Sequence, residues 1–335
     1  MLHLLPDVSL LPYNTFGIDV PAEFFAAIHS LADIEELSAQ KSSIKILGGG
    51  SNILLTGPVR GVVAHNMLQG IDTVREDETH VWVEAQAGVV WHDLVLYAIA
   101  KGLGGVENLA LIPGTVGAAP IQNIGAYGVE VCEVIEQVSF WHLQDKALVH
   151  CSNQSCAFGY RDSVFKNGMK GAAFVTSVLI RLNKQPHFNT SYGAIEAELT
   201  RIGVQQLSVQ AIAQAVMNIR RSKLPDPRVT GNAGSFFKNP TISAALYDEL
   251  AAQHPGIPCF RLSDTHVKVP AAWLIEHCGW KGYRRGDAGV HSLQALVIVN
   301  YGTATGSELW QLSNEVVQSV LSKYGLLLER EVQVW

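Results

Sequence analysis

Charge is scarce in this chain, and neither sign dominates it. Only 16% of the 335 residues are charged, with 24 basic and 30 acidic side chains and a formal net charge of −6. Proteins that bind nucleic acid by neutralising phosphates usually carry a basic excess, so the composition disfavours that class. The 48% of hydrophobic residues can bury a large core, and together with 30 Gly and 7 Trp they argue against a disordered chain.

Signals for secretion, membrane insertion and disulfide formation are missing as well. The opening segment MLHLLPDVSLLPYN has no basic stretch and contains an aspartate and two prolines, unlike a signal peptide. No apolar run approaches the roughly 20 residues that a membrane helix needs. The five cysteines are odd in number and form no CxxC pair. We therefore expect buried free thiols and a cytoplasmic protein.

Apolar patterns along the chain predict a mixture of strands and helices. Strands are indicated at 44–47, 81–85, 172–182, 296–300 and 326–334. Helices are indicated at 91–101, 209–221, 241–253, 271–278 and 307–324. Strict alternation of strand and helix is absent, which favours an α+β protein, and we expect a domain boundary at Pro225 and Pro227.

Two glycine-rich segments are candidates for binding a cofactor. The first, 48–52, reads Gly-Gly-Gly-Ser-Asn and offers consecutive amides that can cradle a pyrophosphate, although three glycines in a row are more often a turn. The second, 112–128, carries Thr115, Gln122 and Asn123 on irregular backbone that could line a flat polar cofactor or form a simple crossover loop. We prefer a cofactor site because two such segments occur in one chain.

Three further positions offer side chains for catalysis. Arg161 could orient a substrate carboxylate, or it could form an ion pair with Asp162 in a turn. Ser235 could donate a proton to a developing carbanion, or it could be an ordinary turn serine. Glu329 and Glu331 would share one face of the closing strand, either against a polar partner or in solvent. The 12 histidines show no metal-binding spacing, so we expect no metal.

Taken together, these motifs resemble the UDP-N-acetylenolpyruvoylglucosamine reductases, also called UDP-N-acetylmuramate dehydrogenases, the flavoenzymes of early peptidoglycan synthesis. The similarity extends over nearly the whole chain, and the motifs follow the family's order. The segments that carry it are 14–17, 47–54, 107–131, 158–165, 223–240 and 328–332. Each motif alone is weak, whereas six in this order are specific.

The resemblance implies an α+β fold of the p-cresol methylhydroxylase and vanillyl-alcohol oxidase type. Its expected parts are FAD-binding subdomains at 1–66 and 67–222 and a substrate domain at 223–325, with a closing strand, 326–335, that returns to the active site. It also implies tightly but non-covalently bound FAD, with NADPH as co-substrate. The implied cofactor contacts are Gly48, Gly49, Gly50, Ser51, Asn52, Ile112, Gly114, Thr115, Gly117, Ala118 and Asn123.

The family mechanism maps onto three residues of this sequence. In that mechanism NADPH reduces the flavin and leaves, and flavin N5 then delivers hydride to the enolpyruvyl sugar nucleotide. Arg161 and Glu331 would stabilise the enolate-like charge, and Ser235 would deliver the proton. The segment around Tyr192 is typical of the subclass with a tyrosine loop, which closes over the diphosphate. The implied substrate contacts are Tyr127, Tyr192, Lys223, Asn239 and Gln294.

The sequence departs from the family pattern at one position, and two other functions remain as alternatives. The subclass often ends in Leu-Glu-Pro-Glu-Val, whereas this chain has Arg330 in place of the proline and keeps the second glutamate. Another FAD oxidase of the same fold is the nearest alternative function, and a nucleotide-sugar-binding protein without turnover is a different one. We expect a monomer that binds neither nucleic acid nor membranes.

Overall fold

The computed structural model describes residues 2–40 and 42–335; Met1 and Lys41 lie outside the described residues. Within them the strands are β1 (Leu5–Ser9), β2 (Pro21–Ile28), β3 (Ile44–Leu47), β4 (Ile53–Leu54), β5 (Val59–Asn66), β6 (Ile71–Glu76), β7 (His80–Gln86), β8 (Gly125–Ala126), β9 (Val129–Glu130), β10 (Ile135–His142), β11 (Ala147–Ser152), β12 (Ala173–Asn183), β13 (Gly231–Asn232), β14 (Thr241–Ser243), β15 (Phe260–Arg261), β16 (His266–Lys268), β17 (Arg284–Arg285), β18 (Ala288–Val290), β19 (Ile298–Asn300) and β20 (Gln333–Val334). The α-helices are α1 (Leu31–Ser38), α2 (Trp91–Ala100), α3 (Gly193–Arg201), α4 (Val209–Lys223), α5 (Ala244–Gln253), α6 (Ala271–His277) and α7 (Gly306–Tyr324). In this part of the chain, no helix is both long and apolar enough to cross a bilayer.

Most of the predicted helices and strands are confirmed, and their ends carry the expected residues. β3, β7, β12 and β19 lie at predicted strands, and α2, α4, α6 and α7 lie at predicted helices. Gly102 and Gly325, which follow α2 and α7, have φ values of 68° and 69°. Ser208 Oγ accepts a hydrogen bond of 3.1 Å from the Ala211 N–H at the start of α4. These caps satisfy terminal backbone groups locally, so the sequence alone marks them.

The helix predicted at 241–253 begins three residues late. Thr241–Ser243 forms β14, which pairs antiparallel with β16, and α5 starts only at Ala244. Ser243 Oγ then accepts a hydrogen bond of 3.2 Å from the Leu246 N–H, so the serine caps the helix. The apolar pattern continues through the cap, which is why the sequence did not separate the two elements.

The strand predicted at 326–334 is wrong in extent, because only β20 remains of it. β20 pairs parallel with β4. Upstream, the Glu329 carbonyl accepts a bond of 2.8 Å from the Lys238 N–H, and the Gln333 N–H donates to the Asn52 carbonyl at 3.0 Å. The closing segment therefore bonds to several separate parts of the chain instead of forming one ladder.

Contacts divide the chain into two compact units. The first comprises the described residues of Met1–Val8, Ala22–Gly50 and Val59–Ser222. The second comprises Ser9–Pro21, Ser51–Pro58 and Lys223–Trp335. The three-part division expected from the resemblance stays a prediction.

The larger core of the first unit is built on an antiparallel sheet in the order β11-β10-β12-β7-β6. β12 spans 11 residues, nearly all buried, as expected for a central strand. Helices α2 and α4 pack into the same core through Leu94, Val95, Ile212 and Val216. This sheet and its helices carry the irregular segment around residues 109–131.

A second core in the first unit lies on the sheet β1-β2-β5-β3, in which β5 pairs parallel with both β2 and β3. Helix α1 contributes Ile34 and Leu37 to this core. Its first turn is closed by a capping box, in which Ser30 and Asp33 each satisfy a backbone N–H of the other. β3 leads from this core directly into the glycine loop at 48–50.

The second unit contains the sheet β13-β19-β18-β17, the sheet β14-β16-β15 and the β20-β4 pair. Helix α7 buries one face, formed by Leu309, Leu312, Val316, Val317 and Val320. The Asn300 side chain joins distant segments by donating to the Phe16 carbonyl at 3.0 Å. A Thr305–Glu308 capping box fixes the start of α7.

We predict that Gly306→Ala destabilises the protein by about 1 kcal/mol. Alanine in a helix normally gains about 1 kcal/mol over glycine. Here a Cβ on Gly306 would overlap the Leu55 backbone, and overpacking of this kind typically costs about 1–3 kcal/mol. Urea unfolding measures the change. Gln318→Ala, at an exposed position of α7, is the control and should stay within about 0.5 kcal/mol of wild type; equal stability of the two variants would contradict the prediction.

Candidate active site

The two glycine-rich segments expected to bind the cofactor lie against each other in the first unit. A Cβ on Gly48 would stand 2.7 Å from Thr115 Oγ1, and one on Gly49 would stand 3.1 Å from Gly114 Cα. A Cβ on Gly48 would crowd the Thr115 side chain, and one on Gly49 would crowd the Gly114 backbone, so glycine suits both positions. The structure thus brings Gly48, Gly49, Gly114 and Thr115 together as a glycine-rich surface suited to a pyrophosphate.

The second glycine-rich segment is held from behind by the residues that lead into α2. The Val116 N–H donates to the Val89 carbonyl at 2.8 Å, and the Gly117 N–H donates to the Ala87 carbonyl at 2.9 Å. The Gly114 carbonyl accepts from the Trp91 N–H at 3.0 Å. Ile112 is half-buried and Ala118 is exposed. We call residues 109–118 the flavin wall, after the role that we expect for them.

Ser51 and Asn52 belong to the second unit, although Gly48 to Gly50 belong to the first. Gly50 is buried and has a φ of 62°. The Asn52 side-chain amide donates to the Glu331 carbonyl at 3.2 Å, and Ser51 is half-buried beside it in sequence. The residue expected to contact the cofactor therefore also fixes the backbone of a catalytic candidate.

Arg161 is held by backbone carbonyls. Its guanidinium donates to the Gly125 carbonyl and, at 3.3 Å, to the Asn123 carbonyl. Glu130 Oε1 lies 4.0 Å from Nη1 of Arg161. The side chain is only 18% exposed. These contacts fix the orientation of the guanidinium, and Asp162, the partner we considered from the sequence, bonds instead to Ser163 and Asn167.

Asn123 was expected to contact the cofactor, but its side chain is fully buried and engaged with protein. Nδ2 donates to Glu130 Oε2 at 2.8 Å and to the Gly159 carbonyl at 3.0 Å. Oδ1 accepts from the Cys132 N–H at 3.1 Å. These bonds engage the Asn123 side chain with protein, and its contact with the cofactor stays a prediction.

Tyr127 and Tyr192, both expected to contact substrate, lie together in the first unit. Their rings meet edge to face with centroids 5.4 Å apart. The buried Asn108 amide joins their segments, because Nδ2 donates to the Tyr127 carbonyl at 3.1 Å and to the Asn189 carbonyl at 2.9 Å. Burial raises the pKa of the Tyr127 hydroxyl. Tyr192 is 44% exposed.

Arg220, which no sequence motif indicates, lies on α4 and forms a hydrogen bond with the Tyr127 side chain. Burial lowers the pKa of the Arg220 guanidinium, and in the described part of the chain Tyr127, not a carboxylate, opposes that shift. A desolvated cation without an acidic partner suits an anionic ligand. The only indication of Arg220 in the sequence is its position on the predicted helix, four residues after Val216.

Ser235 and Glu331 are brought close to each other in the second unit by backbone pairing. Phe237 and Arg330 form an antiparallel bridge, and the Glu331 N–H donates to the Phe236 carbonyl at 2.9 Å. The Phe236 N–H donates to the Leu296 carbonyl at 2.8 Å. Ser235 thus lies one residue from an anchored position, and its own side chain is half-buried.

Glu329 and Glu331, which the sequence could not distinguish, differ in their surroundings. Glu329 is 64% exposed, and its Oε1 forms an ion pair of 2.5 Å with Lys238 Nζ. Glu331 is half-buried, and Asn52 and Phe236 hold its backbone. The structure therefore engages the carboxylate of Glu329 with lysine and pairs the Glu331 backbone with Phe236, the residue after Ser235.

The other expected substrate contacts have mixed surroundings. Asn239 Oδ1 accepts from the Ala271 N–H at 2.9 Å and so caps α6. Gln294 Oε1 accepts from the Leu296 N–H at 3.4 Å, next to the segment that anchors Phe236. Lys223 is exposed at the end of α4. Asn239 therefore makes at least one hydrogen bond within the protein. The contacts of Asn239, Gln294 and Lys223 with substrate stay predictions.

All five cysteines lie in the described residues and are free thiols, of which Cys156 is buried. The other four are half-buried, so the expectation of burial holds fully for one of them. Among the residues with described positions, no group of three His, Cys, Asp or Glu side chains could hold a metal ion.

Backbone strain is concentrated at these candidate sites. Among the described residues, seven other than glycine have positive φ, and these include Asn123 (45°), Tyr127 (52°) and Arg161 (55°). Leu111, within the flavin wall, has a φ of 57°. Such conformations cost roughly 1–3 kcal/mol each and occur preferentially at functional sites. Three expected site residues are thus placed by unfavourable backbone that the surrounding bonds hold in position.

Comparisons with known proteins agree with this architecture. A family model described as an FAD binding domain matches residues 28–152, and the C-terminal domain of UDP-N-acetylenolpyruvoylglucosamine reductase matches residues 226–335. The UDP-N-acetylenolpyruvoylglucosamine reductase of Amoebophilus asiaticus is 47% identical and covers 99% of both chains. That of Chromobacterium violaceum is 48% identical over 98% of both. The crystal structure of the reductase from Thermus caldophilus is similar with a TM-score of 0.67, 26% identity and full coverage of both chains.

The FAD binding domain and the glycine-lined surface define an FAD-binding oxidoreductase. The predicted α+β fold with flavin-binding and C-terminal domains of this type is confirmed. The chain belongs to the UDP-N-acetylenolpyruvoylglucosamine reductase family. Its assignment to the tyrosine-loop subclass and its individual site residues stay predictions.

We predict that Gly49→Ala weakens FAD binding by at least about tenfold. The added methyl group must displace the Gly114 backbone, and loss of about 1.4 kcal/mol corresponds to tenfold in affinity. Flavin release from the purified protein on dilution, followed by fluorescence, measures the effect. Gly57→Ala is the matched control, because a Cβ there meets no atom within 4 Å. Wild-type retention of flavin by Gly49→Ala would show that this backbone contact does not shape the cofactor site.

Proposed function

We propose that this chain reduces UDP-N-acetylglucosamine enolpyruvate to UDP-N-acetylmuramate with NADPH, in the cytoplasmic synthesis of peptidoglycan precursors. The observation that carries the proposal is identity of 47–48% to named reductases over 98–99% of the chain. A monomeric state and the absence of nucleic-acid or membrane partners are further parts of it.

FAD, when bound, supplies the two-electron chemistry that links NADPH to the substrate double bond. The chain's own residues supply binding, charge stabilisation and a proton. Gly48, Gly49, Gly114 and Thr115 support a pyrophosphate site, because three of the four are glycines whose backbone a ligand can approach closely. The flavin wall continues this surface, and Val116, Gly117 and the Gly114 carbonyl bond to Val89, Ala87 and Trp91.

Arg161 stabilises the negative charge that develops on the enolpyruvyl carboxylate. Its guanidinium is oriented beforehand by the Asn123 and Gly125 carbonyls and by Glu130. Charge stabilisation by a group that need not reorganise is the largest contribution that a protein makes to such reactions. In this proposal Asn123 is a positioning residue, since it binds Glu130 and offers its carbonyl to Arg161.

Ser235 delivers the proton to the substrate carbon, and Glu331 joins Arg161 in stabilising the enolate-like charge. Backbone bonds from Phe236 to Leu296 and from Glu331 to Phe236 limit the movement of both residues. A serine hydroxyl is a weak acid, so it can serve only a strongly basic carbon, such as the one formed after addition to the double bond. Glu329 is the poorer candidate because Lys238 engages its carboxylate.

Arg220 and the two tyrosines bind an anionic part of the sugar nucleotide. Arg220 is partly buried and shares a hydrogen bond with Tyr127, whose ring packs on that of Tyr192. A phosphate oxygen would give the guanidinium a charged hydrogen-bond partner besides the Tyr127 hydroxyl. The exposure of Tyr192 leaves it able to close over the ligand.

The two half-reactions, measured separately, test the proposal. Anaerobic NADPH should bleach the visible absorbance of wild-type protein, and UDP-N-acetylglucosamine enolpyruvate should restore it. Ser235→Ala should keep the first step and slow the second by about 10²–10⁴-fold, the range for loss of a positioned proton donor. Ser322→Ala, at an exposed position of α7, is the control. Absence of bleaching or of recovery in wild type would refute the activity, and equal slowing of both steps would refute the role of Ser235.

Glu331→Gln should slow the substrate half-reaction more than Glu329→Gln does, by about tenfold or more. Glutamine keeps the size of either side chain but removes the acid, and only Glu331 lies beside Ser235 in the backbone pairing. Stopped-flow reoxidation by substrate gives both rates. The reverse order would show that the acid of this segment is Glu329.

A further inference from the structure

His92, in the first turn of α2, contacts the flavin wall from behind. Its Nδ1 accepts a hydrogen bond of 3.2 Å from the Leu111 N–H. Trp91 makes the adjacent bond, with Nε1 donating to the Leu109 carbonyl at 3.0 Å. Two neighbouring side chains of one helix therefore bind the same short stretch of irregular backbone.

The residue that His92 contacts is under strain. Leu111 has a φ of 57°, a left-handed conformation that disfavours any residue with a Cβ. The chain then passes through Ile112 and Pro113 to Gly114, the residue that faces Gly49. A bond to the Leu111 N–H thus stabilises the strained residue from which the flavin wall turns toward the glycine loop.

The bond requires a neutral imidazole, since a protonated Nδ1 is a donor and cannot accept. Burial lowers the pKa of His92 from its ordinary value of 6.5. Arg221 and Arg220, on α4, lower it further, and Asp93, next to it on α2, raises it. The surroundings therefore favour the form that accepts the Leu111 N–H.

We propose that His92 is a positioning residue for the cofactor: its neutral ring holds the Leu111 turn in the conformation that binds FAD, and its protonation releases that turn. The inference rests on the proposed flavin site. In this proposal His92 contacts neither cofactor nor substrate, and it acts through the backbone of residues 111–114.

The sign of the pH dependence follows from the direction of the shift. Because the pKa of His92 is lower in the folded protein than its ordinary 6.5, the bond is complete above that value and is lost as the pH falls through the lowered pKa. FAD should therefore bind more weakly in acid. Loss of one backbone hydrogen bond of about 1–1.5 kcal/mol corresponds to a decrease in affinity of about tenfold.

Flavin release from the full-length holoenzyme, measured by fluorescence after dilution between about pH 8 and 5, tests this inference. Three proteins are compared: wild type, His92→Asn and His92→Leu. Asparagine places Oδ1 near the position of Nδ1 and does not titrate, whereas leucine provides no acceptor. We expect the apparent FAD affinity of wild type to fall about tenfold more than that of His92→Asn across this range. His92→Leu should bind FAD about tenfold more weakly than wild type at pH 8.

The outcomes separate this inference from the proposed function. Purified wild type without flavin absorbance would refute the flavin site itself. Flavin-containing wild type whose pH dependence equals that of His92→Asn would refute only the role of His92. The comparison of these two proteins decides the question even where His92→Leu does not fold, because neither protein lacks the acceptor at pH 8.

Discussion

Gly48 and Gly49 approach Thr115 and Gly114 closely: a Cβ on Gly48 would stand 2.7 Å from Thr115 Oγ1, and one on Gly49 would stand 3.1 Å from Gly114 Cα. Much of the structure around the expected cofactor site follows from this contact. Backbone N–H and C=O groups that face a ligand cannot also form the hydrogen bonds of a β-sheet. A buried polar group that is left without a hydrogen-bond partner costs about 1–3 kcal/mol. The chain meets this requirement in part by bonding three backbone groups of the flavin wall to Ala87, Val89 and Trp91. The glycines at this contact and the hydrogen bonds to Ala87, Val89 and Trp91 therefore both follow from the close approach of the two segments.

The helices and central strands were predictable because the information that determines them is local. The apolar face of α7, the Thr305–Glu308 box before it and Gly325 after it are all visible within twenty-one residues of sequence. The closing segment was not predictable in the same way. Its hydrogen bonds reach Lys238 and Asn52, and no local pattern records partners that are so distant. Propensity suggested a strand there, but tertiary bonding determined the conformation.

The candidate site shows the same division. Motifs indicated Arg161, Ser235, Glu331 and the glycines, because chemistry restricts the residue types at such positions. The buried side-chain amides of Asn108 and Asn123 are as important for the structure as the residues that motifs indicate. An isolated asparagine in a sequence, however, does not show which carbonyls its side chain will bind. Asn108 joins segments 81 residues apart, and this connection is visible only in the folded chain. Arg220 was missed for a related reason, since one arginine on a helix resembles any other until its burial is known.

The left-handed residues of the site also bear on how this protein would respond to selection for heat resistance. Tyr127 and Arg161 occupy conformations that glycine adopts without penalty, so the native side chains make the fold less stable than it could be. A library screened for survival of heating alone would reward replacement of these residues, even as the groups proposed to act on the substrate disappear. Thermal tolerance and turnover are thus opposed at these two positions, and any directed-evolution scheme would have to select for both at once.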